Sequence, residues 1–190
     1  KQMWQKPGSP VVPMYTSHSF SPIINGQNVI FHLGGHDEGA ITAFDVNTGE
    51  VRWTWRGDGP GYGSPVVADF GGTRQIVTIT QGKLVGLDVA SGALLWERPF
   101  VSANFTNSVT PILTGQTLVV SNGGPAVAVT MTRRNNQWVA EDAWENPDVP
   151  FRLSNAIVIG DTLYGLWTRN MGQYFAVDIK TGKTLWTSQP

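Results

Sequence analysis

Ala43-Phe44-Asp45-Val46-Asn47-Thr48-Gly49-Glu50-Val51-Arg52-Trp53 recurs in this chain. Gly86-Leu87-Asp88-Val89-Ala90-Ser91-Gly92-Ala93-Leu94-Leu95-Trp96 repeats its frame, and Ala176-Val177-Asp178-Ile179-Lys180-Thr181-Gly182-Lys183-Thr184-Leu185-Trp186 repeats it again. The shared pattern is small-x-Asp-x-x-Thr/Ser-Gly-x-x-x-Trp. Trp53 and Trp96 are 43 residues apart, and Trp96 and Trp186 are 90 apart, which leaves room for one more copy of about 45. That copy occupies residues 128–144, is degenerate, ends on Trp144 and carries six extra residues around 133–137. A second marker keeps the same phase: Ser21-Pro22-Ile23, Ser64-Pro65-Val66, Thr110-Pro111-Ile112 and Ser154-Asn155-Ala156, at intervals of 43, 46 and 44.

A period of ~40–45 residues with several short strands per unit is the signature of a β-propeller. The expected fold is all-β, with four four-stranded antiparallel blades at residues 21–56, 64–98, 110–145 and 154–187. In the first unit the strands fall at 22–24, 28–33, 41–46 and 51–55. Asn25-Gly26 makes a tight turn between the first two, as do Gly115-Gln116 and Gly160-Asp161, whereas the second unit has a longer turn over 69–74. Runs such as 75–80 and 118–120 are apolar on both faces, as expected of a sheet packed between two others. The repeated Asp and Thr or Ser can accept from backbone N–H groups of a hairpin, and the Gly can take the left-handed conformation that closes it. The Trp then lies on the outer strand, where its indole can bury area against the next blade. Asp45, Gly49, Trp53, Asp88, Gly92, Trp96, Trp144, Asp178, Gly182 and Trp186 are thus blade-docking residues.

Composition agrees. Charged residues are 14% of the chain, and it contains 22 Gly, 12 Pro and eight Trp, which suits strands joined by short turns. The net charge of −1 gives no field to attract nucleic acid. Arg133-Arg134 reads as a solvated hairpin tip. There is no cysteine, so disulfides and thiolate chemistry are excluded. No run approaches the ~18 apolar residues of a membrane-spanning helix.

The repeats resemble the tryptophan-docking motif, Ala-x-Asp-x-x-x-Gly-x-x-x-Trp, of the PQQ-like (quinoprotein alcohol dehydrogenase-like) propellers. The match is full at Ala43/Asp45/Gly49/Trp53 and Ala176/Asp178/Gly182/Trp186, one residue off at Gly86, and poor in the third copy. The resemblance implies a ring of seven or eight blades, of which these four are a part, with residues 1–6 a leftover outer strand of a preceding blade. It also implies an exported protein, periplasmic or extracellular. The repeat serves both redox enzymes and noncatalytic assembly factors. Enzymes of this kind use PQQ with calcium, a vicinal cysteine pair and a Glu/Asn/Asp ligand set. The missing cysteines, and the lack of a tight acid cluster on an inner loop, favour a scaffold without a cofactor that binds a protein, peptide or small ligand. The alternative is a PQQ- and calcium-dependent alcohol or sugar dehydrogenase.

In a propeller, loops of different blades converge at one mouth of the central channel. The residues before the inner strands differ from unit to unit although the marker after them repeats. His18, Tyr62, Asn107 and Arg152 are therefore candidates for a ligand or partner site. Asp37, Asn122, Arg169 and Asn170 add to them from the loops between second and third strands. Other motifs read as scaffold. Asp69-Phe70-Gly71 is a turn, and residues 57–63, Gly-rich but followed by no helix, connect two blades. His32 and His36 are a strand histidine and a loop histidine within a 34–39 loop, and Asn104-Phe105-Thr106 is a glycosylation sequon without supporting context.

Overall fold

The computed structural model describes residues 1–7, 19–35, 38–102, 106–167 and 172–189, and among them there is no helix. Strands form four antiparallel sheets, each of four strands in sequence order. The first contains β1 (Ile23–Asn25), β2 (Asn28–Gly35), β3 (Glu38–Asp45) and β4 (Val51–Arg56). The second contains β5 (Val66–Phe70), β6 (Thr73–Ile79), β7 (Lys83–Asp88) and β8 (Leu94–Pro99). The third contains β9 (Ile112–Thr114), β10 (Thr117–Val120), β11 (Ala126–Arg134) and β12 (Gln137–Asn146). The fourth contains β13 (Ile157–Ile159), β14 (Thr162–Trp167), β15 (Gln173–Asp178) and β16 (Thr184–Thr187).

Two connections are tighter than the sequence suggests. In place of a 34–39 loop, β2 runs through Gly35 and β3 starts at Glu38, with Gly34 opposite Gly39. A Cβ on Gly34 would stand 2.3 Å from the Glu38 carbonyl oxygen, so only a glycine lets the strands close there. In the second sheet the expected long turn at 69–74 is ladder: Asp69 pairs with Arg74 and Phe70 with Thr73. The turn is Gly71-Gly72, whose φ angles of +54° and +82° suit a two-residue hairpin. Asp69 Oδ1 accepts the Gly72 N–H at 2.8 Å, which gives the Asp-Phe-Gly triplet a turn-closing role.

The repeated hairpins between third and fourth strands follow from their side chains. Asp45 Oδ1 accepts the N–H groups of Asn47 and Thr48, both at 2.9 Å. Asp88 does the same for Ala90 and Ser91, and Asp178 for Lys180 and Thr181. Gly49, Gly92 and Gly182 then turn the chain at φ near +72°. Each glycine also carries an indole. A Cβ would lie 2.7 Å from the Trp4 ring at Gly49, 2.3 Å from Trp53 at Gly92, and 2.5 Å from Trp144 at Gly182. Trp4 and Trp144 donate their Nε1–H to the carbonyls of Val46 and Ile179, both at 2.9 Å. Residues 1–7 form no strand, although Trp4 seats itself on the first hairpin. Trp53 and Trp144 are buried, whereas Trp186 on the fourth sheet is 49% exposed.

Apolar side chains fill the space between successive sheets. Ile30, Ile41 and Trp53 meet Ile76, Val85 and Leu87. Val77, Ile79 and Leu84 meet Leu118, Val127 and Met131. Val119 and Trp144 meet Leu163, Phe175 and Val177. Alternate residues of β6 and β10 thus feed two different cores, which explains why those strands are apolar throughout.

The second marker is a hydrogen-bond ladder across the inner strands. The Ser21 N–H donates to Ser64 Oγ at 2.8 Å, and the Ser64 N–H to Thr110 Oγ1 at 3.0 Å. The Thr110 N–H donates to Asn155 Oδ1 at 3.0 Å. The fourth member of the series is therefore Asn155, one residue later than the sequence phase of Ser154 suggests.

Candidate functional site

In an antiparallel four-strand meander, the connection between second and third strands shares an end with the connection to the next sheet. At that end Asp58, in the β4–β5 connection, is a hub. Its Oδ2 accepts from Thr80 Oγ1 at 2.5 Å and from the Gly82 N–H at 2.9 Å, while Oδ1 accepts the Gly59 N–H at 2.8 Å. His32 Nε2 lies 3.0 Å from the Asp58 carbonyl oxygen and donates to it. Asn107 closes on the same turn from the β8–β9 side. Its Nδ2 reaches the carbonyls of Thr80, Gln81 and Phe100 at 3.0, 3.1 and 2.7 Å. The Asn107 carbonyl accepts the Tyr62 N–H at 2.7 Å, and the Tyr62 carbonyl accepts from Ser19 Oγ. Glycines permit this approach: a Cβ would stand 2.5 Å from the Ile79 carbonyl oxygen at Gly61 and 2.3 Å from that of Val109 at Gly63. The glycine-rich 57–63 stretch therefore serves backbone packing between sheets.

Two of the expected site residues, Tyr62 and Asn107, are joined here and are buried. Asn107 is fully buried, with its amide nitrogen committed to loop carbonyls, so it braces the mouth. Between the third and fourth sheets, Gly123, which follows Asn122, lies against the Arg152 stem. Its φ is +90°, and a Cβ there would stand 3.0 Å from Arg152 Cδ. The Gly123 N–H donates to the Phe151 carbonyl at 3.2 Å, and Asn122 Nδ2 donates to the Val101 carbonyl at 3.1 Å. Arg152 is partly exposed, and among the described residues no carboxylate pairs with it. His18, Asp37, Arg169 and Asn170 lie outside the described residues, as does His36.

The sequence gives no sign of Leu153. Its φ is +61°, and the Ser154 N–H donates across it to the Arg152 carbonyl at 2.7 Å. That is a three-residue turn of a rare, strained kind. Ser108 Oγ holds the turn by accepting the Leu153 N–H at 3.2 Å. The Leu153 residue is 73% exposed. This end therefore presents a cation and an adjacent apolar side chain on a braced backbone. Asp58 was also missed, because a single acid in a glycine-rich loop has no distinguishing pattern.

At the opposite end, a groove of about 350 Å³ lies between the third and fourth sheets, lined by Trp144, Ile179, Thr117 and Thr130. The Lys180–Asp161 pair, 2.6 Å apart, forms part of its lining. None of the expected site residues lines it. The carboxylates of the repeated hairpins are the perturbed acids. The Arg52 guanidinium, with the N–H groups of Thr48 and Asn47, holds Asp45 down at about 2. The Ser91 hydroxyl lowers Asp88, and the Thr181 hydroxyl lowers Asp178.

Comparison with known proteins bears on the fold and the family. A family profile described as outer membrane protein assembly factor BamB matches residues 1–188. The protein of that name from Shewanella oneidensis is 27% identical over 176 residues, which are 87% of this chain and 42% of the relative. Its counterpart from Burkholderia pseudomallei is 26% identical over 175 residues, 88% of this chain and 44% of the relative. The chain thus spans less than half the length of these curated relatives. Among solved structures, a europium-containing methanol dehydrogenase superposes with a TM-score of 0.59 at 14% identity, covering 91% of this chain and 42% of that one. The likeness to the dehydrogenase is one of fold. The expected PQQ-like repeat and all-β propeller architecture are both met.

Proposed function

We infer the function from a plain premise, that the chain belongs to the family of outer membrane protein assembly factor BamB, and propose that it is a noncatalytic scaffold for assembly. In this reading it is exported to the periplasm, its four sheets are part of a larger ring, and a partner protein docks at the mouth described above. The observation that carries the reading is the turn at residues 152–154. It sets an exposed Leu153 beside a partly exposed Arg152, which has no carboxylate partner among the described residues, on a backbone held by Ser108 and Gly123. A cation beside an apolar anchor on a braced backbone supports a docking surface, and Asp58 and His32 at the same end are engaged with backbone groups of the loops.

The quinoprotein alternative asks for calcium ligands and partners for the quinone. No cluster of three or more His, Asp or Glu side chains occurs among the described residues. The segments that lead into the inner strands, 62–68, 107–114 and 152–159, contain no Asp or Glu. These residues do not fit a calcium–quinone pair, and no catalytic step is derived from them.

The test uses the full-length protein. Replacing Arg152 with Glu and Leu153 with Asp should abolish cross-linking to its assembly partner in the periplasm while the melting curve stays unchanged. Undiminished cross-linking would place the docking surface elsewhere. Adding PQQ with calcium should neither raise the melting temperature nor produce dye-linked oxidation of alcohols or sugars; turnover would establish the enzyme reading.

A further inference from the structure

Three seams share one device, an indole from one segment resting on the hairpin glycine of the next sheet. The seam between the second and third sheets lacks it. Strands β11 and β12 stay paired out to Arg134 and Gln137, so ladder occupies the place where the other sheets turn. Met131 marks the position: its N–H donates to the Gln116 carbonyl as that of Val46 does to Gln27, yet Met131 is still paired with Ala140. The chain finally turns at Asn135-Asn136, with φ of +48° and +66°. No hairpin glycine is left for Trp96.

Trp96 instead folds onto its own sheet. Its Nε1–H donates to Gln75 Oε1 at 2.6 Å. The ring passes so close to residue 86 that a Cβ there would stand 2.1 Å from Nε1. Ala43, Ala128 and Ala176 occupy the matching cross-strand position opposite Trp53, Trp144 and Trp186, while Gly86 faces Trp96. The glycine that spoils the second copy of the motif and the long hairpin that spoils the third are two halves of one change.

Trp138 restores the contact from the opposite direction. It sits on the added length of β12, 6.4 Å from the Phe70 ring and 3.7 Å from the Cβ position of Gly71, at the β5–β6 turn. It packs against a core drawn from both sheets. The Arg133 guanidinium covers its other side at 5.6 Å. Arg98 and Asp142, 2.8 Å apart, and Gln116 Nε2 with the Asp69 carbonyl, at 3.4 Å, cross the same seam. We propose that the lengthened third hairpin is a strap and Trp138 its clasp, fastening the third sheet back onto the second in place of a forward indole-on-glycine contact. The strap is independent of what docks at the mouth.

Amide hydrogen exchange on the intact protein tests it. Trp138→Ala should speed exchange in β5, β6 and the outer half of β11 by about tenfold or more, leaving β1–β4 unchanged, and Trp138→Phe should restore most of the protection. A second variant replaces residues 130–143 with the sequence of residues 45–52, returning a short hairpin with its glycine. Gly86→Ala should lower the melting temperature in the native background and be tolerated in the shortened one, where Trp96 regains a forward seat. Unchanged exchange around β5 and β6 in Trp138→Ala would overturn the strap, as would equal damage by Gly86→Ala in both backgrounds.

Discussion

Gly92 shows how one residue serves two needs. Its φ of +73° is unfavourable for any side chain, and a Cβ would enter the space of the Trp53 ring at 2.3 Å. Gly26 has a similar φ of +58° but nothing within 4 Å of its Cβ position. Gly26→Ala should therefore cost about 1–2 kcal/mol of backbone strain. Gly92→Ala adds overpacking against the indole and should cost about 2–4 kcal/mol in urea unfolding. Equal losses would mean that the indole contact contributes nothing to stability. Residues of this type were legible in the sequence, because glycine and tryptophan announce such geometry by their own chemistry. Leu153 was not, since a leucine forced to positive φ by its surroundings looks like any other leucine. Asn107 was singled out as a mouth residue, but its burial depends on three carbonyls that come together only in the folded chain.

The first strands of the first, third and fourth sheets are only three residues long, and the Ser/Thr/Asn ladder ties the segments that lead into the first strands to one another. Each rung gives a backbone N–H an acceptor on the neighbouring sheet. Thr110→Val keeps the volume and removes the oxygen that accepts the Ser64 N–H. It should cost about 1–3 kcal/mol, the range for a hydrogen bond lost with its donor stranded, read as a lower urea midpoint. An unchanged midpoint would make the ladder incidental. The phase of the marker was readable in sequence for the first three sheets. The slip to Asn155 was not, because Ser154 mimics the pattern and only the pairing of Thr110 reveals which residue is opposite. The long third hairpin was visible as six extra residues, but its reach to Phe70 was hidden, since length alone carries no direction.

Across the whole molecule the hairpin aspartates recur in phase and share one acid response. The Arg52 guanidinium and the N–H groups of Thr48 and Asn47 hold the folded pKa of Asp45 at about 2, and hydroxyls lower those of Asp88 and Asp178. Each folded value lies below the unfolded one, so the unfolded chain binds more protons in this window. The stabilisation is complete above the ordinary carboxylate pKa of about 4 and is lost as pH falls through the folded values. The melting temperature should thus drop between about pH 5 and pH 2, and Asp45→Asn should flatten part of that slope; an unaltered slope would remove Asp45 from the account. The architecture was legible because a repeat multiplies a weak local signal; the mouth was less so, because its loops vary with nothing to compare them against. The uncovered side of the last sheet bears Ile157, Ile159, Leu185 and Trp186. Three seams set an indole forward on a glycine of the next sheet, and the second-to-third seam is fastened in reverse by Trp138. Such contacts are heterologous, each sheet giving its neighbour a different surface from the one it receives, so the sheets are not interchangeable and their order along the chain is written into their hairpins.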